Sequence, residues 1–366
     1  MIDVADLRSA IERVQDPEIQ KSIGELGMVR DLTVSRGDVD VVVALVLAPY
    51  PSQDTLANDI ESAAGDVEGV TAVSVTFTVM TDDERSELAT KLRGSGGEDR
   101  EILLAKPGSK TRIIGISSGK GGVGKSSVTT NLSVALAKRG LSVGIIDADV
   151  WGFSIPKMMG IDRAPMVLED LLIPPRAYGV SVISMDFFVQ SDQAVVWRGP
   201  MLHKALEQFL VDVLWGDLDY LLIDMPPGTG DVAISISQYL PKSEIIVVTT
   251  PQVAAQRVAV RAGLMARKVN QDVIGVIENM SWFTGDDGQR YEIFGSGGGE
   301  VLAEKLDVPF LGKIPLVPAL REGADVGEPV FVVEPDGEAA RAFVELATHL
   351  VETGPRLRTH PELVIA

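Results

Sequence analysis

The segment from residue 112 to residue 127 has the residue types that could bind a phosphate chain. An apolar run, Arg112 to Ile116, predicts a short buried strand, a glycine-rich turn follows from Gly119 to Gly124, and Lys125-Ser126-Ser127 opens a helical pattern. This is the GxxxxGK[ST] spacing in a strand–loop–helix setting. Glycines let backbone N–H groups surround a phosphate, and a helix N-terminus adds partial positive charge. The spacing predicts a phosphate-binding loop rather than an ordinary flexible one.

Two side chains of this loop have separate chemical tasks. Lys125 brings a positive charge to the β- and γ-phosphates, and the Ser126 hydroxyl is placed to ligate Mg²⁺. We expect the nucleotide to be held by Gly119, Lys120, Gly121, Gly122, Val123, Gly124, Lys125, Ser126 and Ser127.

Polar side chains also follow three other predicted strands. Tyr220 to Ile223 ends in Asp224, Ser142 to Ile146 is followed by Asp147 and Asp149, and a later apolar strand by Asn279. Ligands of open α/β sheets bind beyond the carboxyl ends of the strands, so these residues should converge. Taken singly, each acid is also compatible with a solvated loop, and the Asn with a turn. Together they predict one nucleotide site, with Asp224 as a Mg²⁺ ligand.

Composition restricts the classes of protein that the chain could represent. Its 366 residues are enough for about two domains, and its formal net charge of −19 disfavours nucleic acid and anionic membranes as partners. It contains no cysteine, which excludes disulfides, thiolate nucleophiles and cysteine-ligated metals. With neither an apolar leader nor a membrane-length apolar run, we expect a cytoplasmic protein.

The elements that must position these residues form two regions. Strands alternate with helices from Thr111 onward, which predicts an α/β fold: a doubly wound, mostly parallel sheet of the P-loop NTPase type. Before it, the pattern α-β-β-α-β predicts a small α+β domain. We expect the boundaries to be 1–81 for the small domain, 82–109 for a linker with a glycine-rich tether at Gly94–Gly97, 110–351 for the ATPase domain and 352–366 for a tail.

The loop sequence GKGGVGKS has a second lysine, Lys120. It resembles the deviant Walker A motif of the MinD/ParA/nitrogenase-iron-protein group of ATPases. The resemblance implies a nucleotide-gated homodimer in which Lys120 reaches the partner's nucleotide during catalysis. It further implies that Asp147 supports Mg²⁺, that Asp149 positions or activates the attacking water, and that Asn279 contacts adenine.

A wider set of motifs resembles the Mrp/ApbC family of P-loop ATPases, which bind and transfer iron–sulfur clusters. The motifs are 145–152, 197–201, 224–231, 250–252, 278–281, 293–295 and 321–325. The N-terminal region resembles the PaaD-like domain often fused to such ATPases. The resemblance implies ATP, Mg²⁺ and an iron–sulfur cluster as ligands, and scaffold or apo-client proteins as partners.

One departure from the family limits this expectation. Many members have a C-x-x-C pair where this chain has the region of Gly285 and Gly288, and many have a cysteine in the loop that here reads Ala48 to Ser52. No histidine lies in the first of these segments, and Asp286-Asp287 is more typical of a hairpin turn than of a cation site. A cluster-free ATPase scaffold therefore stays open beside the cluster carrier. A positioning ATPase of the ParA/MinD kind is disfavoured by charge, and a non-catalytic binding module would tolerate Lys125→Ala.

Overall fold

The computed structural model describes residues 2–93, 101–106, 108–149, 152, 154–188, 199–228 and 230–355. The predicted tether at 94–97, and the tail from residue 356 onward, lie outside the described residues. The chain forms two compact units. One comprises Met1–Glu101, Pro165–Pro174 and Asp212–Leu214, and the other comprises Ile102–Ala164, Pro175–Val211 and Trp215–Ala366.

The first unit has a three-stranded sheet and three helices. The elements are α1 (Val4–Glu12), β1 (Val29–Ser35), β2 (Asp38–Leu45), α2 (Gln53–Gly65), β3 (Ala72–Val79) and α3 (Asp82–Arg93). Strand β2 is central, antiparallel to β1 and parallel to β3. Its valines at 39, 41 and 43 are buried, while Asp38 and Asp40 are exposed, which is the alternation of a strand with one covered face.

Helix α3 differs from the expected division of the chain. The sequence places residues 82–109 in a linker, but α3 occupies the first part of that segment and clusters with the first unit. Leu88 and Ala89 explain this arrangement, because both are buried in the same core as Leu7 and Ile11. Only one narrow apolar strip on a charged helix is needed to anchor it, and such a strip is a weak sequence signal.

The first unit also contains a hairpin that the sequence analysis did not predict. Strands β6 (Met166–Leu168) and β7 (Leu171–Ile173) pair in an antiparallel manner. Four of their side chains, Met166, Leu168, Leu171 and Ile173, belong to the core cluster of the first unit. A segment remote in sequence therefore completes the core of the small N-terminal unit.

The second unit is organised around an eight-stranded sheet with the order β15-β12-β11-β4-β10-β5-β9-β8. All its strand pairs are parallel except β8–β9. The strands are β4 (Arg112–Ser118), β5 (Val143–Asp147), β8 (Arg176–Ala177), β9 (Val180–Ser184), β10 (Tyr220–Asp224), β11 (Glu244–Thr249), β12 (Asp272–Glu278) and β15 (Phe310–Lys313). This confirms the predicted α/β class, and the fully buried runs in β4, β5, β10 and β11 are typical of strands covered on both faces.

Helices of the second unit alternate with these strands. They are α4 (Lys125–Ala137), α5 (Ile155–Met158), α6 (Gly199–Val211), α7 (Asp231–Tyr239), α8 (Val253–Lys268), α9 (Gly298–Leu306), α10 (Pro318–Val326), α11 (Val330–Val333) and α12 (Glu338–Thr353). A short hairpin, β13 (Phe283–Thr284) and β14 (Arg290–Tyr291), lies between β12 and α9. Helix α4 is buried along most of its length, which fixes the loop that precedes it. Across the part of the chain that the structure describes, no helix has the length and apolar character needed to span a membrane.

Candidate nucleotide site

The glycine-rich loop joins β4 to α4, and its backbone conformation depends on glycine. Gly122 and Gly124 have φ angles of +78° and +80°, in the left-handed region that favours glycine. A Cβ atom at Gly119 would lie 2.3 Å from the Ala259 backbone nitrogen on α8. A Cβ atom at Gly124 would lie 2.2 Å from Asn279 Nδ2. At Gly119 and Gly124 the loop backbone thus lies too close to its neighbours for any residue with a Cβ atom, whereas Gly121 faces open space.

Asp224 lies at the carboxyl end of β10 and is fully buried. Lys125 Nζ lies 2.7 Å from its Oδ2, and the Ser126 hydroxyl donates to the same oxygen at 2.6 Å. The Thr129 hydroxyl donates to Oδ1 at 2.7 Å. A buried carboxylate is stable when its charge is paired and its lone pairs are occupied, as they are here. The predicted loop residues and the predicted strand-end acid therefore form one charged cluster.

Asp147 lies beside Asp224, at the end of the neighbouring strand β5. Its carboxylate accepts hydrogen bonds from the Asp149, Ser154 and Ile155 amides and from the Ser184 hydroxyl, at 3.1–3.3 Å. Burial, together with the nearby charge of Asp224, raises the pKa of Asp147 to about 7. Protein donors thus surround Asp147, which suits a supporting role better than direct ligation.

Asp149 differs from Asp147 in having spare hydrogen-bonding capacity. Its Oδ2 lies 3.5 Å from Lys125 Nζ, and the residue is 7% exposed. Its Oδ1 is buried without a hydrogen-bond partner among the described residues. A buried acceptor without a partner is uncommon, and it points to a group that binds here during function.

Lys120, inside the loop, and Asn279, after β12, each join the loop to another part of the second unit. Lys120 Nζ donates to Gln252 Oε1 at 3.1 Å, at the start of α8. Asn279 Nδ2 donates to the Val123 carbonyl at 2.9 Å, so this amide braces the loop directly. The structure therefore brings together Lys120, Lys125, Ser126, Asp147, Asp149, Asp224 and Asn279 around the loop, while their individual roles stay predictions.

The sequence analysis assigned no site role to Thr129 or Ser184, and it included Gln252 only as part of the 250–252 motif. Thr129 follows Lys125 by four residues and so lies on the same helix face, a spacing that could have revealed it. Ser184 and Gln252 reach the site from other strands and helices, and their hydrogen bonds to Asp147 and Lys120 depend on tertiary structure.

The donors available to a divalent cation are oxygens. Ser126 Oγ and Asp224 Oδ2 are 2.6 Å apart, and Asp147 occupies the adjacent strand end. Hydroxyl and carboxylate oxygens, supplemented by water and phosphate, are the donors that Mg²⁺ prefers. The chemistry of this set therefore fits Mg²⁺ bound together with a nucleotide.

The segment expected to hold thiolates in related proteins is a closed hairpin here. Asp287 accepts hydrogen bonds from the Tyr291 hydroxyl at 2.6 Å and the Gln289 amide at 3.0 Å, so it closes the β13–β14 turn. Glu338 accepts from Trp282 Nε1 and Thr284 Oγ1, both at 2.9 Å, and ties the hairpin to α12. Within the described ranges, no group of three His, Asp or Glu side chains could hold a metal ion. This hairpin has no residues suited to cluster ligation.

A parallel sheet with a phosphate loop, a strand-end acid and a second loop lysine defines a P-loop NTPase. A family model described as "NUBPL iron-transfer P-loop NTPase" matches residues 109–351, and one described as "Iron-sulfur cluster assembly protein" matches residues 5–75. The chain belongs to the NUBPL iron-transfer P-loop NTPase family, which confirms the resemblance found in the sequence.

Individual proteins agree with this assignment. The iron-sulfur cluster carrier protein of Mycobacterium leprae is 47% identical to this chain, and the match covers 97% of this chain and 95% of the M. leprae protein. A nucleotide-binding protein from Archaeoglobus fulgidus, solved in complex with ADP, is 33% identical with a TM-score of 0.55, over 72% of this chain and 97% of that one. MinD from Pyrococcus horikoshii, complexed with Mg-ADP, is 28% identical with a TM-score of 0.50, over 65% of this chain and 95% of that one.

Proposed function

We propose that this chain binds and hydrolyses ATP as a Mg²⁺ complex, and that it uses this cycle as a homodimer in iron–sulfur cluster transfer. The observation that carries the ATPase proposal is the cluster of Lys125, Ser126 and Thr129 on Asp224. Beside it lies Asp149 Oδ1, which is buried and has no hydrogen-bond partner among the described residues. Membership of an iron-transfer family, and relatives named as cluster carriers, support the wider role.

Nucleotide binding would rearrange the contacts of Lys125. In the structure its amine rests on Asp224, and a triphosphate in the loop offers it a more highly charged partner. Ser126 and Asp224 would then hold Mg²⁺, which neutralises the phosphate charge when bound. Asp147, surrounded by protein donors, would orient the strand ends and the water shell.

Asp149 is the group best suited to orient the attacking water. Asp149 Oδ1, which has no partner among the described residues, can accept a hydrogen bond from the attacking water. The oxygen of that water attacks the γ-phosphorus, while the bond from that phosphorus to the β–γ bridging oxygen breaks. The products are ADP and inorganic phosphate. Phosphoryl transfer of this kind depends on positioning and charge stabilisation more than on a strong base, so a carboxylate is sufficient.

Calorimetry with Mg·ATP tests this assignment most directly. We expect wild type to bind, Lys125→Ala to lose binding, and Asp149→Ala and Lys120→Ala to bind without turnover. Equal hydrolysis rates for wild type and Asp149→Ala would refute the role of Asp149. Absence of both heat and thermal stabilisation in wild type would refute nucleotide binding altogether.

The absence of cysteine from the chain favours a second candidate, an ATPase scaffold that recruits partner proteins holding the cluster themselves. Fe–S clusters are usually held by cysteine thiolates, with histidine as the common substitute. Of the three histidines, His203 is engaged with Ser235, with Nδ1 and Oγ 2.8 Å apart. His349 lies on α12, and His360 lies outside the described residues. Anaerobic reconstitution with iron and sulfide separates the two candidates, because a bound cluster supports the carrier and a colourless protein supports the scaffold. A cytoplasmic location stays a prediction.

A further inference from the structure

Within the part of the chain that the structure describes, the second loop lysine has a single side-chain partner, which is uncharged. Lys120 Nζ donates to Gln252 Oε1 at 3.1 Å, and both residues are half-buried. Among the described residues no carboxylate forms an ion pair with Lys120, although the chain carries 52 acidic residues. An amide oxygen thus takes the position that a counter-ion would occupy.

The Lys120 amine contacts the side chain of the residue at the start of helix α8 of its own subunit. Gln252 is the N-cap residue of α8, and its carbonyl accepts from the Ala255 amide at 2.9 Å. The Ser118 hydroxyl donates to the Lys120 carbonyl at 3.1 Å, and Gly119 packs against the α8 backbone. Both ends of the Lys120–Gln252 contact are therefore fixed to well-anchored backbone.

This position is electrostatically unfavourable for a cation. The amino end of a helix carries partial positive charge, and α8 runs for 16 residues from Val253 to Lys268. The Gln252 oxygen offsets part of this repulsion, since a hydrogen bond to a charged group is stronger than one between neutral groups. The contact therefore stabilises a conformation that Lys120 would otherwise leave.

We propose that Gln252 is a positioning residue that retains Lys120 in the resting subunit, and that breaking this contact opposes formation of the ATP-bound dimer. The inference rests on the homodimer of the proposed function, in which Lys120 must reach the partner's nucleotide. In the proposed dimer the Lys120 amine leaves Gln252, which lies at the start of α8 of its own subunit, in order to reach the phosphates of the partner. The strength of the Gln252 contact then sets the protein concentration at which dimers form.

Three substitutions at one position separate this role from a merely structural one. Gln252→Ala removes the acceptor, Gln252→Met removes it while keeping the volume, and Gln252→Glu replaces it with a charged acceptor. Sedimentation velocity on the full chain, with Mg²⁺ and a non-hydrolysable ATP analogue, gives the dimerisation midpoint of each variant. Gln256→Ala is the matched control, because the Gln256 amide lies one turn along α8 and contacts the Pro251 carbonyl instead.

We expect Gln252→Ala and Gln252→Met to dimerise at about tenfold to a hundredfold lower concentration than wild type, because neither of the two subunits then has to break this half-buried hydrogen bond when the dimer forms. Gln252→Glu should require a higher concentration, and this increase should shrink at high salt because the new contact is an ion pair. Gln256→Ala should keep the wild-type midpoint.

Two results would overturn the proposal without touching the ATPase. One is dimerisation that no Gln252 variant changes, and the other is a shift in the same direction for all three. A wild-type chain that binds the analogue but stays monomeric would refute the homodimer itself, and the role of Gln252 with it.

Discussion

Asp147 and Asp224 are paired in register on the adjacent parallel strands β5 and β10, so two buried carboxylates lie side by side at the carboxyl ends of these strands. Lys125 and two hydroxyls compensate the charge of Asp224, while neutral donors surround Asp147. Burial and the neighbouring charge of Asp224 raise the pKa of Asp147 to about 7, whereas Asp224 forms an ion pair with Lys125.

A pH dependence of stability follows from Asp147. Its pKa rises from 3.8 to about 7 on folding, so the native state binds more protons than the unfolded state between these values. The free energy of unfolding of the nucleotide-free protein should therefore fall as pH rises through this window. In melting curves recorded in EDTA at several pH values, the melting temperature of Asp147→Asn should fall less steeply with rising pH than that of wild type. Identical slopes for the two proteins would contradict the raised pKa.

Thr129 should matter for stability through Asp224. Thr129→Val preserves the shape of the side chain but removes the one hydroxyl among the described residues that donates to Asp224 Oδ1, which leaves a buried carboxylate oxygen unsatisfied. We expect a loss of about 1–3 kcal/mol in the free energy of unfolding, measured by urea denaturation without nucleotide. Thr129→Ser keeps the hydroxyl and is the control, so equal losses in both variants would disprove the hydrogen-bond explanation.

Two loop glycines should respond differently to alanine. Gly119→Ala places a methyl group against the α8 backbone, which cannot move aside without shifting the helix, whereas Gly121→Ala meets open space. We expect Gly119→Ala to lose most Mg·ATP affinity and Gly121→Ala to stay close to wild type, as measured by calorimetry. Similar affinities for both would show that the packing of the loop against α8 is unimportant.

In the first unit, Tyr50 should stabilise a buried acid. Its hydroxyl lies 2.7 Å from both oxygens of Asp16, which also accepts from the Glu18 and Ile19 amides. Burial raises the pKa of Asp16, while the hydrogen bonds oppose this rise. Tyr50→Phe should cost about 1.5–3 kcal/mol when Asp16 is ionised, and less as the pH falls and the acid becomes protonated. Denaturation at several pH values checks this, and a loss independent of pH would exclude the charged hydrogen bond.

The sequence was informative where local pattern decides the structure. The loop from Gly119 to Ser127 and the acid after the β10 strand follow from residue type and spacing, and the structure brings them together. Thr129 was accessible in principle from helical periodicity. Gln252 lies in the 250–252 motif, but its hydrogen bond to Lys120 could not be predicted, because it depends on the loop packing beside the start of α8.

The linker illustrates a different limit. Residues 82–93 are strongly charged, and the sequence assigned them to the linker, but two buried side chains, Leu88 and Ala89, anchor their helix to the first unit. The β6–β7 hairpin was missed for a related reason. Its strands are three residues each, and their apolar partners lie in a remote part of the chain.

That hairpin also bears on how the protein can be divided. A cut after residue 101 would respect the order of the sequence, yet it would leave Met166, Leu168, Leu171 and Ile173 without the core they complete. The two units are therefore interlaced along the polypeptide rather than joined end to end. Replacing the N-terminal module of this chain by another therefore requires a hairpin that matches the new module, because the two share one interior.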